Sequence, residues 1–246
     1  MNESKNTVFS KTAVFLAAFK YSVPVLLGYS TIGIGFGLFL TGAGYPWWLA
    51  MIMSFWMYAG AGQYIAVGLF AAGTNIVEAC LIQLVVNARH IAYGFSMLKR
   101  FDGAGSFKPY LIFSLTDETF ALLSSLPEKP DSGGAEERKL LMFYISVLDQ
   151  CYWTLGTIIG GAAGALIPFD VNGIGFALTA LFVVLMIEQI KMVKRSGVFI
   201  LSGAAALLGV FFLPGKISLL AALAIALFLS FFIERKIKFS NRGEHE

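Results

Sequence analysis

From Tyr21 to Val77 the chain carries no Asp, Glu, Lys, Arg or His. Soluble domains carry about a quarter charged residues, and no single buried helix runs that far without one. At roughly 20 residues per bilayer crossing, the stretch has room for two. Hydrophobic residues make up 57% of the whole sequence and charged residues 13%. The chain therefore reads as an all-α, polytopic integral membrane protein, a helical bundle of six to eight transmembrane segments.

The basic residues gather outside the apolar segments. The main clusters are Lys5, Lys11 and Lys20; Lys99, Arg100 and Lys108; Lys191, Lys194 and Arg195; and Arg235, Lys236, Lys238 and Arg242. Such clustering is expected of cytoplasmic loops and argues against a nucleic-acid surface. It puts both termini in the cytoplasm. Cys80 and Cys151 lie within apolar segments, so neither a disulfide framework nor a thiolate metal site is expected. With His90 and His245 as the only histidines, no metal cluster or cofactor is expected either. Motifs for phosphate cradling, zinc-dependent hydrolysis and a nucleophile elbow are absent, which sets enzymes last.

Apolar segments fall at about 21–40, 47–70, 75–98, 109–126, 140–167, 173–190, 197–213 and 217–233. Gly42-Ala-Gly44 with Pro46, Gly73-Thr-Asn75, Pro127, Pro168 and Pro214-Gly215 punctuate them. Residues 1–20 hold no long span and no cleavage site, and read as an amphipathic cytoplasmic segment. The transporter-like body is then 21–234, its halves 21–126 and 140–234 joined by the polar loop 127–139. A basic tail, 235–246, follows. Gly33 and Gly37 after Leu27-Gly28 are faintly echoed by Gly160 and Gly164 after Leu155-Gly156, the pattern of an internal repeat or of plain close packing.

Eight full crossings would leave Lys99, Arg100 and Lys108 outside. Making 47–70 and 109–126 interrupted or re-entrant brings every basic cluster except Lys216 inside. Ala59-Gly-Ala-Gly62 and the two acids of the short 109–126 segment are suitable places for broken helix, tolerated at depth only when shielded by protein or facing water. Six crossings plus two interrupted segments is the expectation.

Charges at bilayer depth cost roughly 2.5–3.5 kcal/mol each on insertion scales, so they are buried in bundles and mark function. Arg89-His90 and Asp117-Glu118 are such charges, of opposite sign and on different segments. Helical spacing sets Gln83, Asn87 and His90 on one face, while Arg89 shares its side with Tyr93. A guanidinium suits a substrate carboxylate or a structural carboxylate equally. Asp117 and Glu118 point to different sides of a helix: one could pair with Arg89, the other take a substrate ammonium or a coupling proton. Freed N–H groups at Gly60 and Gly62 could meet a carboxylate, with Gln63 either beside them or bonding between helices. Asp149, one turn from Trp153, is a weaker candidate partner for Arg89. Opposite charges on neighbouring segments suit a small zwitterion. A passive channel or a non-transporting scaffold for a partner protein remains open on the residues alone.

At these clusters the sequence resembles the AzlC family, the large subunit of bacterial branched-chain amino acid exporters. Tyr58-Ala-Gly-Ala-Gly-Gln63-Tyr64 corresponds to that family's F-A-G-S-A-Q-F. Asn87, Arg89, His90, Tyr93 and Gly94 correspond to N-x-R-H/Y-x-x-Y-G, and Thr116-Asp117-Glu118-Thr119-Phe120-Ala121 to T-D-E-x-F-A. Trp153-Thr-Leu-Gly156-Thr157 fits a further Trp-x-x-Gly-Thr segment. Tyr58 and Tyr64 replace phenylalanines, and the 127–139 loop is longer and more charged. The resemblance implies secondary, proton-driven export of leucine, isoleucine, valine and methionine across the bacterial inner membrane. Gly60, Gly62, Gln63, Asn87, Arg89, His90, Tyr93, Asp117 and Glu118 would form the substrate site. It also implies a small hydrophobic AzlD-like membrane subunit as partner.

Overall fold

The computed structural model describes residues 10–127 and 134–166, with isolated helical positions between 183 and 212. The chain divides into two compact units, Met1–Ile174 and Gly175–Glu246. The expected segments 173–190, 197–213 and 217–233 and the basic tail lie outside the described residues, isolated positions aside. All regular structure among the described residues is helical.

Helix α1 runs from Lys11 to Gly42, 32 residues without a break. At about 1.5 Å per residue it is roughly 48 Å long, well beyond a hydrocarbon core of about 30 Å. The expected surface segment and the first span are thus one helix from Lys11 onward. Pro24 sits inside it and offers no N–H to the carbonyl one turn earlier.

Both segments expected to be interrupted are interrupted. Residues 47–70 form α2 (Trp47–Trp56) and α3 (Gly60–Ala71), separated by Met57, Tyr58 and Ala59. Residues 109–126 form α5 (Lys108–Phe113) and α6 (Asp117–Ser125), separated by Ser114, Leu115 and Thr116. Between the two pairs lies α4 (Ile76–Met97), and α7 (Ala135–Leu166) closes the unit. By length and apolarity α1 and α4 are the described helices able to cross a membrane.

Local chemistry sets these boundaries. Asn75 caps α4 by accepting from the Glu78 backbone N–H at 2.9 Å, and its amide reaches the Glu78 carboxylate in return. Gly73, at φ +61, makes the turn before it. Thr116 caps α6, its hydroxyl accepting from the Thr119 N–H at 3.2 Å. Arg100 donates to the Leu126 carbonyl just past the end of α6, placing a cation at a helix C-terminus. Tyr58 is held at φ +33, a left-handed conformation that costs a non-glycine residue on the order of 1–3 kcal/mol. The first interruption is therefore strained backbone, held by what surrounds it.

The α1–α7 contact is the most extensive in the unit. Glycines make it possible. A Cβ on Gly37 would overlap the backbone of Thr157, Gly160 and Gly161, and one on Gly160 would overlap that of Ile34. A Cβ on Gly33 or on Gly156 would stand 3.0 Å from a carbonyl oxygen of the opposite helix. The two glycine-spaced helices noted in the sequence thus pack on each other. A second cluster, with Phe101, Leu111, Leu115, Leu123, Met142 and Ile145 fully or almost fully buried, ties the 3₁₀ turn Gly105–Phe107, α5 and α6 to α7.

Gly160→Leu is expected to lower the midpoint of thermal unfolding in detergent and to broaden the size-exclusion peak. Overpacking a close contact costs about 1–3 kcal/mol or more, and here the obstructing atoms are backbone. Gly28→Ala, where nothing lies within 4 Å of the new Cβ, is the control and should leave both unchanged.

Candidate functional site

The two interruptions lie side by side. Tyr58, in the first, packs its ring 6.5 Å from Phe113, at the edge of the second, and 6.5 Å from Tyr29 of α1. Broken backbone at membrane depth needs hydrogen-bonding company, and one face of α7 supplies it. Asp149, Gln150, Trp153 and Thr157 follow one another at helical spacing, all buried.

Between them they reach all four short helices. Gln150 donates to the Phe55 carbonyl near the end of α2 at 3.1 Å and accepts from Tyr110 of α5 at 2.8 Å. Trp153 donates its indole N–H to Gln63 Oε1 at 2.8 Å. Gln63 Nε2 donates to Ser54 of α2 at 3.1 Å, and Ser54 donates to Thr157 at 2.9 Å. Gln63 is fully buried. Its amide joins α2, α3 and α7, which is the interhelical bonding weighed from the sequence.

Gly60 and Gly62 open α3, whose N-cap, Ala59, has no side chain able to close the first turn. A Cβ on Gly60 would stand 3.1 Å from the Trp153 ring; one on Gly62 would stand 2.9 Å from the Asn87 amide. Gln83 donates to the Gly62 carbonyl at 2.9 Å, and Asn87 donates to Gln83 Oε1 at 2.9 Å. The α4 polar face is thus set against the start of α3. His90, next on that face, lies 6.0 Å from the Tyr93 ring.

Asp117 and Glu118 diverge from the first turn of α6, where the helix dipole favours acids. Asp117 faces α4: Arg89 Nη1 lies 2.5 Å from Oδ2, and the Tyr93 hydroxyl donates to Oδ1 at 2.6 Å. Tyr93 is braced by stacking on Phe120 at 4.5 Å. Both charged side chains keep some exposure, 35% for Arg89 and 23% for Asp117. Glu118 faces α1 instead and accepts from Tyr29 at 2.8 Å. Asp149 is not Arg89's partner: its Oδ2 accepts from Thr119 at 2.9 Å.

The AzlC protein family matches residues 24–167, a stretch that includes every residue of this site. A Bacillus subtilis protein named branched-chain amino acid transport protein AzlC is 37% identical over 179 residues, 72% of this chain and 68% of that one. The chain belongs to the AzlC family. An uncharacterized membrane protein of Helicobacter pylori (strain ATCC 700392 / 26695) is 40% identical over 177 residues, 72% of this chain and 76% of its own. The inner membrane protein YgaZ of Escherichia coli (strain K12) is 28% identical over 186 residues, 73% and 75% of the two chains. No solved structure matches. With such relatives and its apolar helices, this AzlC-family chain is a membrane protein of a transport family.

Sequence reasoning undervalued α7. Its polar residues at 149, 150, 153 and 157 recur with the helical period inside an apolar helix, a signal that a period count alone exposes. Tyr29 and Thr119 carried no such mark. Trp153→Phe keeps an aromatic side chain but removes the N–H along with part of the indole, leaving Gln63 Oε1 buried without that donor. A loss of about 1–3 kcal/mol is expected for this AzlC-family protein, read as a lower unfolding midpoint in detergent with the fold otherwise retained.

Proposed function

We propose that this AzlC-family chain is the large subunit of a secondary exporter for leucine, isoleucine, valine and methionine. It works by alternating access across the bacterial cytoplasmic membrane and is driven by the proton gradient. The observation that carries this reading is the Arg89–Asp117 contact at 2.5 Å beside an interrupted helix, in a chain whose B. subtilis relative is named a branched-chain amino acid transport protein.

An amino acid carries the same two charges as that pair. Its carboxylate can take Arg89 while its ammonium takes Asp117, so a zwitterion inserted between them exchanges one ion pair for two. Planar guanidinium favours the bidentate carboxylate contact. The N–H groups at Gly60 and Gly62, the amides of Gln83 and Asn87, and His90 border the carboxylate end. Gln63 holds the broken helices in register. Glu118 stands next to the ammonium end, and Tyr58, Tyr64 and Tyr93 wall the aliphatic side chain. Apolar walls separate homologues by only about 1–3 kcal/mol per methylene, which favours a panel of substrates over one.

The reading includes six full crossings plus the two interrupted segments, both termini in the cytoplasm, and a small AzlD-like membrane subunit as partner. Asn75→Cys should then react with an impermeant maleimide from outside and Ser106→Cys only from inside; Ser106→Cys labelled from outside would require eight crossings.

Cells loaded with leucine-containing dipeptides should release leucine faster when they hold this chain and its small partner. Arg89→Ala should abolish that efflux while the protein still reaches the membrane. Unchanged efflux in Arg89→Ala removes Arg89 from the site. Non-saturating flux insensitive to uncouplers identifies a channel, and no flux with or without the partner identifies a scaffold.

A further inference from the structure

Asp149 is fully buried on α7, its Oδ2 bonded to Thr119 and its Oδ1 without a hydrogen-bond partner. Among the described residues, the ionisable groups within electrostatic reach of it are acids: Glu118 of α6, Tyr58 of the α2–α3 link, Tyr110 of α5, and Tyr152 on α7 itself. A lone carboxylate in such surroundings is an unusual thing to keep at membrane depth. Burying an unpaired charge is costly, so a proton is its natural companion.

The hydrogen-bond partner of that carboxylate is the start of a chain. Thr119 Oγ1 lies 2.9 Å from Asp149 Oδ2 and 3.0 Å from Thr116 Oγ1. Thr116 Oγ1 lies 2.5 Å from the Tyr29 hydroxyl, and Tyr29 lies 2.8 Å from Glu118 Oε2. Three hydroxyls, two of them fully or nearly fully buried on α6 and its cap and one on α1, thus connect two carboxylates without a gap. The ends differ in access: Asp149 is sealed, whereas Glu118 is exposed. Around Glu118 stand Asp117, Arg89, Tyr29, Tyr58 and Tyr93, so the outer end lies next to the proposed ammonium position.

We infer that Asp149 is the proton-carrying residue of transport, and that Thr119, Thr116 and Tyr29 relay its proton to and from Glu118. The inference rests on the exporter reading above. The balance is simple. Asp149 Oδ2 gives its hydrogen to Thr119, Thr119 gives its own to Thr116, Thr116 to Tyr29, and Tyr29 to Glu118 Oε2. Each hydroxyl ends with one hydrogen, Asp149 has lost a proton and Glu118 has gained one. With both carboxylates ionised, Tyr29 donates to Glu118 and Thr119 to Asp149. Thr116, in the middle, can donate to either side, which is the reversal point such a relay needs.

The test separates proton coupling from substrate handling. Membrane vesicles containing the full chain and its small partner are assayed twice: for leucine transport driven by an imposed pH gradient, with proton movement followed by a pH-sensitive dye, and for leucine-for-leucine exchange without a gradient. Asp149→Asn and Thr119→Val should lose gradient-driven transport and leucine-dependent proton movement by roughly 10²-fold, the scale of a removed proton-transfer group. Both should keep exchange near the wild-type rate. Thr119→Ser, which restores the hydroxyl, should recover coupling, so a coupling loss in Thr119→Val cannot be put down to misfolding.

Coupled transport that survives in Asp149→Asn or Thr119→Val overturns the relay while leaving the exporter reading intact. So does loss of exchange together with coupling in Thr119→Val with no recovery in Thr119→Ser. Absence of both activities in the wild-type vesicles overturns the exporter reading, and the relay with it.

Discussion

Broken helix at membrane depth leaves N–H and C=O groups that lipid cannot satisfy, and one buried face of α7 answers this. Phe55 O, Gln63, Ser54, Tyr110 and Thr119 belong to four different short helices, yet all bond to Gln150, Trp153, Thr157 or Asp149. The strained turn at Tyr58 and the cap at Thr116 persist because that face is rigid and close. Its closeness depends in turn on the glycines, since Gly156 and Gly160 let α1 approach until backbone meets backbone. Polar satisfaction and glycine packing are therefore one device, on adjoining faces of a single helix.

Division of charge at α6 follows from helical geometry. Neighbouring residues on a helix point about 100° apart, so Asp117 turns to α4 and Glu118 to α1. One carboxylate is then neutralised by Arg89, while the other accepts from the Tyr29 hydroxyl. A longer α6 beginning earlier, with no break at 114–116, would have buried these acids mid-helix, away from the favourable N-terminal dipole. The interruption is what lets two acids sit together at the start of one helix.

Much of this was legible in the residues. The uncharged run from Tyr21 to Val77 fixed a membrane environment, and the conflict between basic clusters and eight crossings pointed to the two segments that are interrupted. Glycine spacing marked α1 and α7 for close approach. What could not be read was pairing across long separations: Tyr29 with Glu118, 89 residues apart, or Ser54 with Thr157, 103 apart. Asp149 was weighed only against Arg89 because opposite charge is the obvious attraction. Its partner is a threonine, which a sequence does not distinguish from any other. The expected cytoplasmic segment 1–20 was separated from the first span by its lysines, but a helix has no reason to end at a charge, and α1 runs through Lys11 and Lys20.

On the exporter reading, α6 is where substrate and proton meet. Its first residue, Asp117, belongs to the pair a zwitterion would open, and its second, Glu118, ends the hydroxyl chain. Thr116 and Thr119, inside that chain, are also the cap and first turn that give α6 its start. Substrate drawn into the Arg89–Asp117 pair loosens one of the ties between α6 and α4, while the polar ties to α1 and α7 run through the relay itself. Any shift of α6 that follows must lengthen one of those short hydroxyl contacts. Occupancy of the pair and continuity of the relay are then mechanically linked through a helix of nine residues, which is the kind of connection that obligatory exchange of a proton for an amino acid requires.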